Sequence, residues 1–151
     1  MSIDVLSALA LFALITSITP GPNNLMLMAS GANFGFARTV PHMLGITLGF
    51  MVMLLLVGFG LIRVFDAFPI IYTVLKLLSL IYLIYLAYKI ATAAPVQTAD
   101  PNAKPLSFLQ AAGFQWVNPK AWAFGLSVIT IYVPSAGILP LVITALVVAV
   151  M

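Results

Sequence analysis

The chain has 151 residues, of which 64% are hydrophobic and 6% charged, and its net charge is +3. This composition excludes an ordinary soluble globular protein and favours an integral membrane protein in a lipid bilayer. Cysteine is absent, which excludes disulfides and thiol catalysis. The six basic residues are scattered along the chain, so no basic patch forms and no nucleic-acid partner is predicted.

The first predicted helix is broken near its middle. Apolar residues run over 3–19 and again over 23–36, and the sequence Pro20-Gly21-Pro22-Asn23-Asn24 separates the two runs. The prolines remove backbone donors, and Gly21 lets the chain bend. The whole run exceeds the roughly 20 residues of one straight crossing, so a bent transmembrane segment is predicted. Residues 31–38 are interpreted as a fraying helix end and a turn.

Two further helices are predicted before the chain becomes polar. The second covers Val40–Ile62, and we interpret its Gly45 and Gly49 as residues that let another helix approach closely. The third covers Ile70–Ala91, with tyrosines near both ends as interfacial anchors. His42 is interpreted as a snorkelling or hydrogen-bonded side chain, because nothing nearby in the sequence supplies a second metal ligand.

A linker over residues 92–106, rich in proline and polar residues, divides the chain into a first unit (1–91) and a second unit (107–151). The second unit starts with a helix over Ser107–Tyr132 that is broken at Asn118-Pro119-Lys120. A fifth apolar run, from residue 137 to residue 151, is shorter than a straight crossing. We therefore interpret the second unit as an incomplete repeat whose last helix or helices are missing.

The two breaks lie in the first long helix of each unit. Three helices precede the linker, so the second unit starts on the opposite side of the membrane and has inverted topology. Paired broken helices in inverted units are typical of transporters that bind their substrate between the units. The predicted fold class is therefore an all-α, polytopic membrane bundle of inverted three-helix repeats with broken first and fourth helices.

Lys120 is the charged side chain of the second break. On a straight helix from Ser107 it lies about 20 Å along the axis, which leaves about 10 Å to the far surface of the hydrocarbon core. A charge at that depth is costly and suggests function. The structural alternatives are a snorkelling lysine and one bonded to carbonyls freed around Pro119.

The breaks also predict how a zwitterion would bind. The helix N-termini after Pro22 and Pro119, the asparagine amides and the Lys120 ammonium are predicted to hold a carboxylate. The carbonyl groups freed at the breaks are predicted to hold an ammonium group. An amino acid carries both groups, so it is the predicted substrate class.

At these residues the chain resembles the lysine exporter (LysE/RhtB) family of bacterial amino-acid exporters. The resemblance depends on Thr19-Pro20-Gly21-Pro22-Asn23-Asn24, Gly45-Ile46-Thr47-Leu48-Gly49, Leu75-Lys76, Tyr82-Leu83-Ile84-Tyr85-Leu86, Gly113-Phe114-Gln115 and Asn118-Pro119-Lys120-Ala121-Trp122. It implies an inner-membrane efflux carrier that exchanges an amino acid, or a close derivative, for protons. By this likeness the substrate site is assigned to Pro20, Gly21, Pro22, Asn23, Asn24, Asn118, Pro119 and Lys120.

Three interpretations stay open. The first is an amino-acid exporter whose N-terminus is periplasmic, because more of the loop Lys and Arg residues fall on the opposite side. The second is an inactive or partner-dependent membrane fragment with a structural role, for which a homodimer and a loss of activity are both expected. The third is a membrane enzyme, and the sequence lacks the His, Asp, Glu or Cys clusters that hydrolysis or metal chemistry needs. No enzymatic activity and no cofactor are therefore predicted.

Overall fold

The computed structural model describes residues 1–61, 63, 67–91, 104–133 and 138–150. These residues contain seven α-helices and no strand, which confirms the all-α prediction. The helices are α1 (Ile3–Ile18), α2 (Pro22–Phe34), α3 (Phe36–Leu56), α4 (Ile70–Ala91), α5 (Phe108–Phe114), α6 (Pro119–Tyr132) and α7 (Ile138–Val150). A π-helical turn, Val57–Leu61, follows α3, and a 3-10 turn, Gln115–Val117, joins α5 to α6.

Up to two segments of the described residues are long and apolar enough to cross a membrane. α3 and the turn after it are apolar enough to cross a membrane over Phe36–Gly60, and α1 and α2 qualify together as one span bent by 60°. Large apolar side chains are exposed on helices throughout the described residues, including Leu11, Leu44, Leu77 and Leu146. Exposed apolar surface on this scale is what contact with lipid requires.

Both predicted breaks are present. The first interrupts the chain between α1 and α2, and the second lies between the 3-10 turn and α6. The third predicted helix has the bounds of α4. Residues 92–103 of the predicted linker lie outside the described residues, and the division into units 1–91 and 107–151 stays a prediction.

The connection between α2 and α3 is tighter than predicted. We expected a fraying end and a turn over residues 31–38, yet α2 extends to Phe34 and α3 begins at Phe36. Gly35 alone separates them, with φ of 77°, a backbone conformation that glycine adopts without the steric cost of a Cβ atom. The predicted start of the second helix at Val40 was wrong for the same reason, because a single glycine completes the turn.

α3 is the central helix of the bundle. Towards its C-terminus it packs with α1, α6 and α7 around an apolar core. This core consists of Leu9, Ala13, Phe50, Met53, Leu54, Val57, Ala121, Val128, Ala145 and Val148. Closer to its N-terminus, α3 packs against α2 and α5. The segments on either side of both breaks are therefore held against one helix.

α5 lies directly on the glycines of α3. A Cβ atom at Gly45 would lie 2.4 Å from the carbonyl oxygen of Phe108, and one at Gly49 would lie 2.5 Å from the Cα atom of Ala112. No side chain fits at these distances without movement of the α5 backbone. The prediction that these glycines serve helix packing is confirmed.

Candidate functional site

The first break leaves the C-terminal end of α1 beside a polar side chain of α2. The Asn24 Nδ2 group donates to the carbonyl oxygens of Ser17 at 2.7 Å and Thr19 at 3.0 Å. Pro22 occupies the first turn of α2, where a missing backbone donor costs nothing. The N-cap residue of α2 is Gly21, so no side chain caps this helix. Its first-turn N–H groups therefore lack a side-chain partner.

The second break has a different local structure. Asn118 is the N-cap of α6, and its Oδ1 atom accepts a hydrogen bond of 3.1 Å from the backbone N–H of Lys120. Pro119 fills the first helical position. The two helix starts are therefore not equivalent, because α6 uses its own asparagine as a cap whereas α2 has none.

Lys120 connects the two breaks. Its Nζ atom donates to the carbonyl oxygen of Thr19, at the end of α1. A Cβ atom at Gly21 would lie 2.7 Å from the Cδ atom of Lys120 and 3.2 Å from its Nζ atom. The C-terminal end of a helix carries partial negative charge, which stabilises a neighbouring ammonium. A structural role for Lys120 was expected to involve carbonyls around Pro119, and the carbonyl that it contacts belongs instead to the other break.

A reciprocal pair of amides also joins the breaks. Asn23 Nδ2 donates to Gln115 Oε1 at 2.9 Å, and Gln115 Nε2 donates to Asn23 Oδ1 at 3.2 Å. Gln115 Nε2 also donates to the carbonyl oxygen of Ala111 at 2.9 Å. Because Gln115 is fully buried, the two hydrogen bonds that it shares with Asn23 fix the direction of the Asn23 amide. The sequence prediction of the site omitted Gln115, although a glutamine in an apolar helix three residues before a break was a usable signal.

The amide pair can be tested by a double-mutant cycle. We expect Asn23→Ala and Gln115→Ala each to lower the free energy of unfolding. Their effects should be non-additive by about 0.5–3 kcal/mol, because each change removes the same pair of bonds. Detergent-solubilised protein, unfolded by a titration with a denaturing detergent, gives the four free energies. Asn23→Ala combined with Gln110→Ala serves as the control, since Gln110 caps α5 and does not contact Asn23. Additive effects in the first cycle would show that the pair does not couple the breaks.

The two breaks border one cavity of about 310 Å³. Five of the eight predicted site residues line it, namely Gly21, Asn23, Asn24, Asn118 and Lys120. The other three, Pro20, Pro22 and Pro119, are not lining residues. Pro22 and Pro119 start α2 and α6, and Pro20 lies between α1 and α2. The prolines therefore shape the breaks, whereas the polar residues face the cavity.

The rest of the cavity wall is mostly apolar. Its further lining residues are Thr16, Ser17, Ile18, Leu27, Ile46, Thr47, Phe50, Gln115, Ala121, Phe124, Val148 and Ala149. The Phe50 and Phe124 rings are stacked with centroids 5.3 Å apart. Among the lining residues Lys120 is the single charged side chain, and no carboxylate accompanies it. Within the described residues no group of three potential ligands is placed to bind a metal ion.

The fold is an all-helical bundle with membrane-length apolar segments and a cavity, lined in part by polar residues, between two helix breaks. The profile of the family described as LysE type translocator matches residues 14–151. The chain therefore belongs to the LysE type translocator family, whose members are transporters and not enzymes. Membership implies a location in the bacterial inner membrane, and it confirms the family predicted from the sequence.

Curated relatives agree with this assignment. The chain is 35% identical over 134 residues to a protein of Salmonella typhimurium named cysteine/O-acetylserine efflux protein, covering 85% of this chain and 66% of the relative. It is 34% identical over 136 residues to the protein of the same name from Escherichia coli K12, covering 88% and 68%. The chain thus spans about two thirds of the length of these relatives. No solved structure matches the chain.

Proposed function

We propose that the chain exports a small amino acid, or a close derivative, across the bacterial inner membrane in exchange for protons. The observation that carries this proposal is the contact between the two breaks, with Lys120 of one beside Thr19 and Gly21 of the other. In addition, the curated relatives are named as efflux proteins. The eight residues assigned from the sequence form the proposed substrate site, with Gln115 added to them.

The carboxylate of the substrate is proposed to bind at the start of α2. This helix has no side-chain cap, so its first N–H groups and the positive end of its dipole are available to an anion. The Lys120 ammonium lies beside Gly21 and adds a charged donor. The start of α6 is a poorer anion site, since Asn118 already accepts from its first turn.

The ammonium of the substrate is proposed to bind at the end of α1. Thr16, Ser17 and Ile18 line the cavity there, and the last carbonyl groups of a helix carry partial negative charge. Asn24 already donates to the carbonyl oxygens of Ser17 and Thr19, and Lys120 also donates to that of Thr19. The carbonyl groups of this region therefore accept hydrogen bonds from both an amide and a cation. A zwitterion with its two charges on one carbon atom spans the short distance between these helix ends.

The substrate side chain is proposed to be small and uncharged. The remaining wall contains Phe50, Phe124 and Leu27, and an apolar wall without a carboxylate leaves a second ammonium unpaired, which is costly. Cysteine and O-acetylserine, named for the relatives, satisfy this requirement. Lysine does not, so it should be a poor substrate.

The arrangement in the membrane is part of the same proposal. One break in each of the units 1–91 and 107–151 agrees with two inverted repeats, and the loop charges favour a periplasmic N-terminus. A homodimer is proposed as the assembly in which the exposed apolar helices of two copies pack together.

Cysteine-accessibility mapping tests the proposed orientation of the chain in the membrane. Ser2 and Lys104 are each replaced by Cys in this cysteine-free chain.

The export proposal is tested in vesicles that contain the purified protein. We expect unlabelled O-acetyl-L-serine inside the vesicles to drive uptake of the labelled compound, and external cysteine, but not external lysine, to compete. Protein-free vesicles are the control. Absence of exchange in correctly inserted protein would overturn the proposal and favour the alternative of a structural or partner-dependent membrane protein.

A further inference from the structure

His42 is the single histidine of the chain, and its environment differs from the one predicted. It is 1% exposed, and neither Nδ1 nor Nε2 has a hydrogen-bond partner within the described part of the chain. The expectation of a snorkelling or hydrogen-bonded side chain was wrong. Gly45 lies one turn further along the same face, and the backbone of α5 contacts that glycine, so the imidazole is enclosed between packed helices.

The polar groups nearest to His42 in the sequence are already bonded. The Thr39 Oγ1 atom donates to the carbonyl oxygen of Gly35 at 2.9 Å. Its contact of 2.9 Å with Ser30 Oγ therefore uses the serine proton. This hydroxyl pair is satisfied without the imidazole. A buried polar group without a partner is costly and needs an explanation.

His42 is close to the proposed substrate cavity. Ile46 lines the cavity and lies four residues after His42, on the same face of α3 and about 6 Å along the helix axis. Ala111 packs on Gly45 and accepts a hydrogen bond from Gln115, which lines the cavity. The histidine is thus one helical turn from the cavity wall and close to α5, the helix that precedes Gln115.

Within the part of the chain that the structure describes, few charged groups face this part of α3. The elements packed against it, α2 and α5, contain no titratable side chain. Its own helix carries Arg38, which is exposed. α4 reaches α2 and α5 through Tyr82, and its titratable side chains are Tyr72, Lys76, Tyr82, Tyr85, Tyr88 and Lys89. Asp4 in α1 is the single acidic residue among those described, and Lys120 lines the cavity.

We propose that His42 is the proton-binding group of the exchange reaction, an inference that rests on the proposed function. Histidine is the side chain whose charge ordinarily changes between pH 5 and 8, and no described membrane helix offers a carboxylate beyond Asp4. One ring nitrogen accepts a proton through its lone pair when the substrate has left, and it releases that proton when substrate binds. The imidazole is therefore neutral while substrate is bound and is an imidazolium after the substrate has left.

Charge repulsion supplies the coupling. A protonated His42 adds a positive charge near the cavity that Lys120 lines, and this added charge repels the ammonium group of an entering amino acid. Proton and substrate therefore disfavour each other, and by linkage each lowers the affinity of the other by the same factor. Mutually exclusive occupancy is what an exchanger needs to couple the two movements.

Proton release in weakly buffered solution tests the inference directly. At a pH at which the imidazole of the substrate-free protein is protonated, we expect added O-acetyl-L-serine to release protons from the purified protein. About one proton should be released for each substrate molecule bound. His42→Gln should bind substrate and exchange it but release no proton, and it should lose uphill export driven by a pH gradient. Thr39→Ser, on the same face of α3, is the matched control, because it keeps the hydroxyl that bonds to Gly35 and Ser30, and it should behave as the unchanged protein.

The single histidine gives a second readout that needs no variant. In protein labelled with ¹⁵N-histidine, substrate should convert the imidazole signals from the protonated to the neutral pattern. Substrate binding without proton release or without this spectral change would overturn the role of His42 and leave export itself intact. Absence of substrate binding by the unchanged protein would overturn the proposed function, and the inference with it.

Discussion

Replacing Lys120 by methionine is expected to weaken substrate binding by roughly 10- to 100-fold and to abolish export at low substrate concentration. The ammonium lies beside Gly21 at the uncapped start of α2, where the proposed carboxylate binds. A hydrogen bond to a charged group contributes about 1.5–3 kcal/mol, and each 1.4 kcal/mol is a factor of ten in affinity. Calorimetry with O-acetyl-L-serine measures the loss, and the vesicle exchange assay measures export.

Lys76→Met is the matched control for this substitution. Lys76 is exposed on α4 and does not line the cavity, so its replacement removes the same charge from the chain without touching the proposed site. Both variants should insert into membranes to the same extent. Unchanged substrate affinity in Lys120→Met, or equal losses in the two variants, would show that Lys120 has only a structural role.

Replacing Gly49 by alanine is expected to lower the free energy of unfolding markedly. The added Cβ atom would lie 2.5 Å from the Cα atom of Ala112 and 2.8 Å from its Cβ atom, and these atoms cannot move without the backbone of α5. Overpacking of this kind typically costs about 1–3 kcal/mol. Because Gln115 directly follows α5 and bonds to Ala111 inside it, the shift should also disturb the amide pair with Asn23. The free energy of unfolding in detergent is the quantity to measure.

Gly31→Ala separates this packing effect from the general effect of removing a glycine. Gly31 lies inside α2, and nothing is within 4 Å of a Cβ atom built there. Alanine stabilises a helix interior by about 0.5–1 kcal/mol relative to glycine, so this variant should be slightly more stable than the unchanged protein. If Gly49→Ala were equally well tolerated, the close approach of α5 to α3 would be incorrect.

The backbone breaks and the overall class could be predicted from the sequence because their causes are local. Proline and glycine act on their own neighbours along the chain, so Pro20-Gly21-Pro22 and Pro119 mark helix ends without knowledge of the rest of the fold. Apolar runs of membrane length are equally local. For the same reason the bounds of α4 were correct, whereas the start of α3 depended on the single residue Gly35 adopting a positive φ.

The contents of the site depended on contacts between distant residues. Gln115 pairs with Asn23 across 92 positions of the sequence, and Lys120 bonds to Thr19 across 101. No local pattern indicates such partners. Asn118 and Asn24 look alike in the sequence, yet the first caps its own helix whereas the second bonds to the end of α1. The burial of His42 likewise follows from the path of α5.

The meeting of the two breaks is tested most directly by cross-linking in native membranes. The chain has no cysteine, so Asn23→Cys and Gln115→Cys provide a single pair of thiols at side chains that are hydrogen-bonded in this structure. A short bifunctional thiol reagent should join them rapidly. It should not join Gly31→Cys to Gln115→Cys, because residue 31 lies about 12 Å further along α2. Failure to cross-link the first pair, with each single cysteine reactive, would contradict a site built from both breaks.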